Sequence, residues 1–117
     1  MIRFDATQAQ KEHLIEIFNQ WTELKEIIQV SFKLKNVSVA NQMILGIRLY
    51  ENLLVKASES TVFNPDDMKD YEILPLNGQE RYTFIISNSN RYAAYCQLTE
   101  LFEETKKKIA RLRIISK

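Results

Sequence analysis

Glycine, proline, cysteine and histidine are all scarce in this 117-residue sequence, which has two glycines, two prolines, one cysteine and one histidine. The two glycines, Gly46 and Gly78, lie far apart, which excludes the glycine-rich loops that bind nucleotide phosphates. A structural zinc site needs about four ligands, usually thiolate or imidazole, and the chain offers only Cys96 and His13. We therefore expect neither a metal nor another cofactor.

A single cysteine cannot form an intrachain disulfide, which is typical of proteins in reducing compartments. No apolar stretch approaches the roughly 18 residues of a membrane span. Residues 1–6 also lack the apolar run of a signal peptide. The sequence therefore predicts a cytoplasmic protein with no membrane contact.

Catalytic groups are equally hard to find. Cys96 would need an adjacent base to act as a nucleophile, and no catalytic cysteine signature surrounds it. Asp66 and Asp67 are explained by helix capping, and Glu103 and Glu104 by pairing with the lysines four residues later. We predict neither an enzyme nor a small-molecule substrate.

Three long segments carry apolar residues at spacings of three and four, the period of an amphipathic helix. They predict helices from about Thr7 to Ile28, from Ser38 to about Glu59, and from Asn88 or Ser89 to about Arg113. Thr7 to Gln10 has the form of a capping box for the first of them. Gly46 lies inside the second helix, where it is expected to permit a close helix crossing.

The period changes after the first helix. Ile28, Val30, Phe32 and Leu34 alternate with polar residues, which favours a half-buried strand over residues 29–35. The alternative is an extension of the helix, which would expose Val30 or Leu34 to water. The preferred interpretation is the strand.

A β-hairpin is predicted over residues 71–87. Asn77-Gly78 separates two strand-like runs, and Asn-Gly is typical of two-residue hairpin turns with positive φ. The predicted fold is thus a single α+β domain over residues 1–117, with three long amphipathic helices packed against a small antiparallel sheet. The length and the 45% apolar share are typical of one globular domain.

Basic residues are concentrated at the end of the sequence, although the net charge is only +1. From Thr105 to Lys117 there are six basic residues and no acidic one. The candidate partner-contact residues are Lys106, Lys107, Lys108, Arg111 and Arg113. They favour either a nucleic-acid or acidic-partner contact, or simply a charge distribution that matches the helix dipole.

Surplus apolar residues lie outside the predicted stripes. Leu45 and Leu49 lie off the main face of the second helix, and Ile114 and Ile115 follow the last stripe. A symmetric dimer is the commonest way to cover such residues. We therefore predict a non-enzymatic macromolecule-binding protein, a small regulatory or inhibitory accessory protein that acts by protein–protein contact and forms a homodimer.

The alternative function is a DNA-binding regulator. The predicted order of helices, Asn-Gly hairpin and long last helix resembles, in topology alone, winged-helix repressors that dimerise through their last helix. Such proteins read DNA with a basic helix before the wing. Residues 64–70 hold that position here, and their three acidic side chains would repel phosphate. This alternative therefore ranks second.

Overall fold

The structure is a computed structural model and describes residues 1–115. In chain order its elements are α1 (Lys11–Lys33), α2 (Val39–Lys56), a 3-10 helix (Pro65–Asp70), α3 (Gly78–Ser87) and α4 (Tyr92–Ile115). Strand pairing in these residues is limited to two isolated bridges, Ile2 with Tyr71 and Phe4 with Ser58. The predicted α+β class is therefore wrong, because residues 1–115 are helical and contain no sheet.

Residues 29–35 are not a strand, because α1 continues through them as far as Lys33. The expected cost of this helical extension is real, since Val30 is 53% exposed and Leu34 is 72% exposed. In compensation, the ring of Phe32 packs edge-on against a tyrosine of α4, with ring centroids 5.5 Å apart. Residues 29–33 are thus helical despite their alternating apolar pattern, and this helical conformation places Phe32 against α4.

The predicted hairpin over residues 71–87 is also wrong. Asn77 does adopt the expected positive φ, at 57°, but Gly78 begins α3 instead of completing a turn. Gly78, Tyr82 and Ile85 are the buried residues of α3, and their spacings of four and three define one helical face. The winged-helix resemblance depended on this hairpin, which has no counterpart in residues 1–115.

Helix α1 begins at Lys11 and not at Thr7. The predicted capping box does not form, because Asp5 Oδ1 accepts the backbone N–H groups of Thr7 and Gln8, at 3.1 Å each. This Asp5-capped turn therefore precedes the helix. No helix within residues 1–115 has both the length and the apolar character needed to cross a membrane.

The core lies where α1, α2 and α4 meet. The Trp21 ring stacks on Phe102 with centroids 4.3 Å apart, and Tyr50 packs edge-on against Phe102 at 5.2 Å. Gly46 lies beside these rings. A Cβ added there would approach Trp21 Cζ3 to 2.9 Å and Leu98 Cδ2 to 3.1 Å, so Gly46 permits the close helix crossing that its position predicts.

The first five residues run along the molecule in an extended conformation and join two distant segments. The backbone N–H of Ile2 donates to Asp70 O at 2.7 Å, and the N–H of Asp5 donates to Ala57 O at 3.0 Å. The N-terminal segment therefore bonds to both the end of α2 and the end of the 3-10 helix.

Candidate docking groove

An open groove runs along the seam between α1 and α2. Its lining pairs early residues of α1 with late residues of α2, so the two helices are antiparallel. None of the lining residues belongs to α4. The groove therefore lies on a side of the α1–α2 helix pair that α4 does not cover. Gln20 and Asn52 line both halves of the groove, which makes it continuous.

One half of this groove is apolar and encloses about 500 Å³. Its aliphatic lining consists of Leu24 and Ile27 from α1 and Leu45 and Leu49 from α2. Ile27 is 52% exposed and Leu45 is 58% exposed. Helical periodicity explains the exposure of Ile27 and Leu45, because both lie beside the core-facing stripes of their helices, whereas Leu24 and Leu49 are partly buried and pack against the core.

Sequence reasoning identified Leu45 and Leu49 as contact residues but missed Ile27. The neighbouring Ile28 is fully buried, and consecutive helical residues point about 100° apart. Two adjacent isoleucines therefore cannot both face the core. That conflict was the signal in the sequence for a second apolar surface on α1.

The other half of the groove is polar and encloses about 860 Å³. His13 lies in it, with Nδ1 3.0 Å from Gln8 O, whereas Cys96 belongs to α4 and does not line the groove. No group of three or more histidine, cysteine, aspartate or glutamate side chains within residues 1–115 is arranged to hold a metal ion. The polar half is lined by charged and hydrogen-bonding side chains that include Glu12, Glu16 and Lys56.

The two walls of the groove have opposite charge. Helix α1 contributes three glutamates and no cation, namely Glu12, Glu16 and Glu23. Helix α2 contributes two cations and no acid, namely Arg48 and Lys56. The three ion pairs of residues 1–115 join Arg48 to Glu51 and Arg81 to Glu100 and Glu104, so none crosses the groove.

Below Arg48, a polar network connects the groove to the interior. Glu51 is only 7% exposed, and it accepts hydrogen bonds from the Arg48 guanidinium at 2.9 Å and from the Tyr82 hydroxyl. The hydrogen bond to Glu51 raises the pKa of Arg48. Burial, with the Glu51 carboxylate next in effect, raises the pKa of Tyr82. Arg48 therefore stays positively charged at the rim of the groove.

Three of the five basic candidates on α4 make contacts within the chain. Lys106 Nζ lies 5.5 Å from the centroid of the Phe18 ring, and Lys108 Nζ donates to a backbone carbonyl at 2.9 Å. The Arg113 guanidinium donates twice to Ala9 O, at 3.0 and 2.7 Å. These three side chains therefore contribute to the packing of α4.

The other two basic candidates, Lys107 and Arg111, are exposed and line a shallow cleft of about 250 Å³. The predicted pairs of Glu103 and Glu104 with the lysines four residues later do not occur among the ion pairs of residues 1–115. Glu104 instead accepts from Arg81, at 3.2 and 2.6 Å. The five candidates therefore do not form one continuous basic surface.

Ile114 and Ile115 are 72% and 70% exposed at the end of α4, and neither lines the groove. The four residues predicted for self-association therefore divide into two sets. Leu45 and Leu49 lie together in the groove, and the isoleucines lie outside it. The groove is a surface on which several apolar side chains from two helices converge.

A family model described as YpoC-like protein matches residues 11–117, so the match begins at the first residue of α1. No curated protein and no solved structure matches the chain. The match to one family over residues 11–117 places all four α-helices within the family's shared region.

Proposed function

We propose that this chain, which belongs to the YpoC-like protein family, is a non-enzymatic cytoplasmic accessory protein that acts by protein–protein contact and associates with itself. The observation that carries the proposal is the groove between α1 and α2, in which Leu24, Ile27, Leu45 and Leu49 line one apolar half. A groove of this kind accepts the apolar face of another helix.

The energetics favour a bound partner. Completely burying an exposed leucine or isoleucine contributes about 1.5–3 kcal/mol. Ile27 and Leu45 are both about half exposed, so each has roughly half of that contribution still to gain. Gln20 and Asn52 lie between the two halves, and their amide groups can bond to a partner but are weak acids and bases. The amides at this junction therefore suit contact better than acid–base chemistry.

A regulatory or inhibitory role follows from this mode of action. A small protein that covers a surface of a larger one changes its activity without catalysing any reaction. The groove extends over two helices and has both an apolar and a charged half. It can therefore combine affinity from buried apolar area with specificity from charge.

The test is size-exclusion chromatography with light scattering on the wild-type protein, Leu45→Glu and Ile44→Glu over a range of concentrations. Ile44 is the matched control, because it neighbours Leu45 on α2 and is 44% exposed, but does not line the groove. We expect the wild type and Ile44→Glu to show a rising mass with concentration, and Leu45→Glu to remain a monomer.

A monomeric wild type at the highest concentration would contradict self-association. The same two variants then test contact with a different protein, by affinity purification from the native cells. Partners that bind the wild type and Ile44→Glu but not Leu45→Glu would support the groove as the contact surface. Identical partners for all three proteins would contradict it.

A further inference from the structure

The opposite charges of the groove walls restrict what the groove can bind. Glu12, Glu16 and Glu23 line the α1 side, and Arg48 and Lys56 line the α2 side. No ion pair joins the two sides within residues 1–115. A surface that complements this groove must therefore present cations opposite α1 and anions opposite α2.

A second copy of this chain presents that pattern. We infer that two copies pack groove to groove, with α1 of each copy lying antiparallel along α2 of the other. This inference rests on the proposed function, because it names the partner that the same groove binds. The result is a four-helix bundle made from two helical hairpins.

Symmetry leaves two ways to pack the hairpins face to face. In an isologous dimer the same patch of both copies forms the interface. If the two-fold axis runs along the helices, α1 of one copy faces α2 of the other. If the axis runs across the helices, α1 faces α1 and α2 faces α2. The two arrangements bury the same apolar residues but bring different charges together.

Charge selects the first arrangement. With the axis along the helices, positions at the same level of the groove meet across the interface, so Glu16 of each copy approaches the Lys56 of the other. Glu23 and Arg48, which both border the apolar half, meet in the same way. With the axis across the helices, the glutamates of α1 would face those of the other copy. Like charges in direct opposition at an interface are destabilising.

The selected arrangement also suits the backbone and the apolar residues. Each α1 is antiparallel to α2 of its own copy, and the axis along the helices makes it antiparallel to α2 of the other copy as well. Antiparallel neighbours place opposite ends of the helix dipoles together. Leu24, Ile27, Leu45 and Leu49 of both copies then form the apolar core of the bundle.

The experiment exchanges the charges and measures dimer dissociation constants by analytical ultracentrifugation. Glu16→Lys alone and Lys56→Glu alone should each weaken the homodimer about tenfold, because two symmetry-related contacts become repulsive at once. An equimolar mixture of the two variants should form a heterodimer within about threefold of wild-type affinity, because both contacts are again between opposite charges. An intramolecular effect would not be rescued by mixing.

Glu26→Lys is the matched control, because Glu26 lies on α1 and is exposed but does not line the groove. It should leave the dissociation constant unchanged. Circular dichroism of each variant checks that the helices are retained. If a variant unfolds, the pair Glu12→Lys and Lys56→Gln replaces it. We expect these substitutions to weaken each homodimer less strongly, and mixing them to restore part of the affinity.

Three results would overturn the arrangement without refuting protein–protein contact through the groove. Tighter homodimers of Glu16→Lys would indicate that α1 faces α1. A dimer that Leu45→Glu abolishes, but whose affinity no charge exchange alters, would show that the walls do not meet as inferred. A monomeric wild type whose partner binding depends on Leu45 would identify a different protein as the occupant. If Leu45→Glu changes neither mass nor partners, the proposed function itself fails.

Discussion

Arg81 on α3 and Glu23 on α1 are both charged, but their surroundings differ. Arg81 donates to both carboxylate oxygens of Glu104, at 3.2 and 2.6 Å, and to the carbonyl of Leu76 at 3.3 Å. Glu23 lines the groove, and none of the ion pairs within residues 1–115 includes it. On the α3–α4 side this arginine is thus paired within the chain, whereas on the groove side Glu23 forms no ion pair within residues 1–115.

The same difference holds for apolar side chains. Leu98 on α4 is 1% exposed, whereas Leu45 on α2 is 58% exposed. The two sides of the molecule therefore differ in how completely they bury a leucine side chain. The packing around α4 covers Leu98 with other residues of the chain, whereas much of Leu45 is exposed on the groove side, so we expect the two leucines to contribute unequally to monomer stability.

The largest expected effect compares Leu98→Ala with Leu45→Ala, the same substitution on the two sides. Leu98→Ala should lower the free energy of unfolding by about 2–5 kcal/mol, because it leaves a cavity in the core. Leu45→Ala should change it by at most about 0.5 kcal/mol. Urea unfolding at low protein concentration, where the monomer dominates, measures both values. Equal losses of unfolding free energy in the two variants would contradict the proposed difference between the α4 side and the groove side.

The next effect concerns Glu51, which lies between the two sides. Glu51→Ala leaves the buried Tyr82 hydroxyl without its acceptor, which should cost about 1–3 kcal/mol of unfolding free energy. The double variant Glu51→Leu with Tyr82→Phe removes both polar groups and should recover a large part of this loss. Glu23→Ala is the control in the groove, and no loss is expected from it. If the loss in the double variant equals the sum of the losses in Glu51→Leu and Tyr82→Phe measured singly, Glu51 and Tyr82 are not coupled.

The smallest effect depends on pH. The hydrogen bond from Arg81 holds the pKa of Glu104 below its ordinary value of 4.5. As the pH falls below 4.5, the unfolded chain therefore takes up this proton before the folded one does, and the folded state loses stability. The contribution is complete at neutral pH and disappears as the pH falls through the lowered pKa.

Glu104→Gln provides the measurement. At pH 7 the wild type should be more stable than this variant by at most about 1 kcal/mol, because the pair lies at the surface. As the pH is lowered from 7 towards about 3, the difference should shrink, since protonation of Glu104 removes its charge in the folded state as well. Thermal unfolding at both pH values, with Glu23→Gln as the groove control, checks the prediction. A difference that does not change with pH would exclude the ion pair as its cause.

The three long helices could be predicted from the sequence, because their stripes of apolar residues extend over many turns. The short elements could not. Residues 79–87 contain Tyr82, Thr83, Phe84, Ile85 and Ile86, which all have high strand propensity. Tertiary packing overrides that propensity, because a helix buries Tyr82 and Ile85 together on one face. The strand propensity of single residues does not reveal which of them a helix would bury against the rest of the chain.

The candidate site was predictable only in part, for a related reason. The surplus of Leu45 and Leu49 on α2 is evident in the periodicity of that helix. Their meeting with Ile27 depends on how α1 lies against α2. The absence of a side chain at Gly46 permits this approach, because an added Cβ would lie 2.9 Å from Trp21 Cζ3. Charge clustering was less informative, since contacts within the chain involve Lys106, Lys108 and Arg113.

The hydrogen bonds from Arg113 to Ala9 join residues 104 positions apart, and they have a consequence for synthesis of the protein on the ribosome. The α1–α2 hairpin emerges long before α4 exists, so the nascent chain exposes both the groove and the face that α4 will cover. Such partly folded chains are prone to aggregate and to bind chaperones. Formation of α4 covers one of these two faces, and the groove stays open in the monomer over residues 1–115.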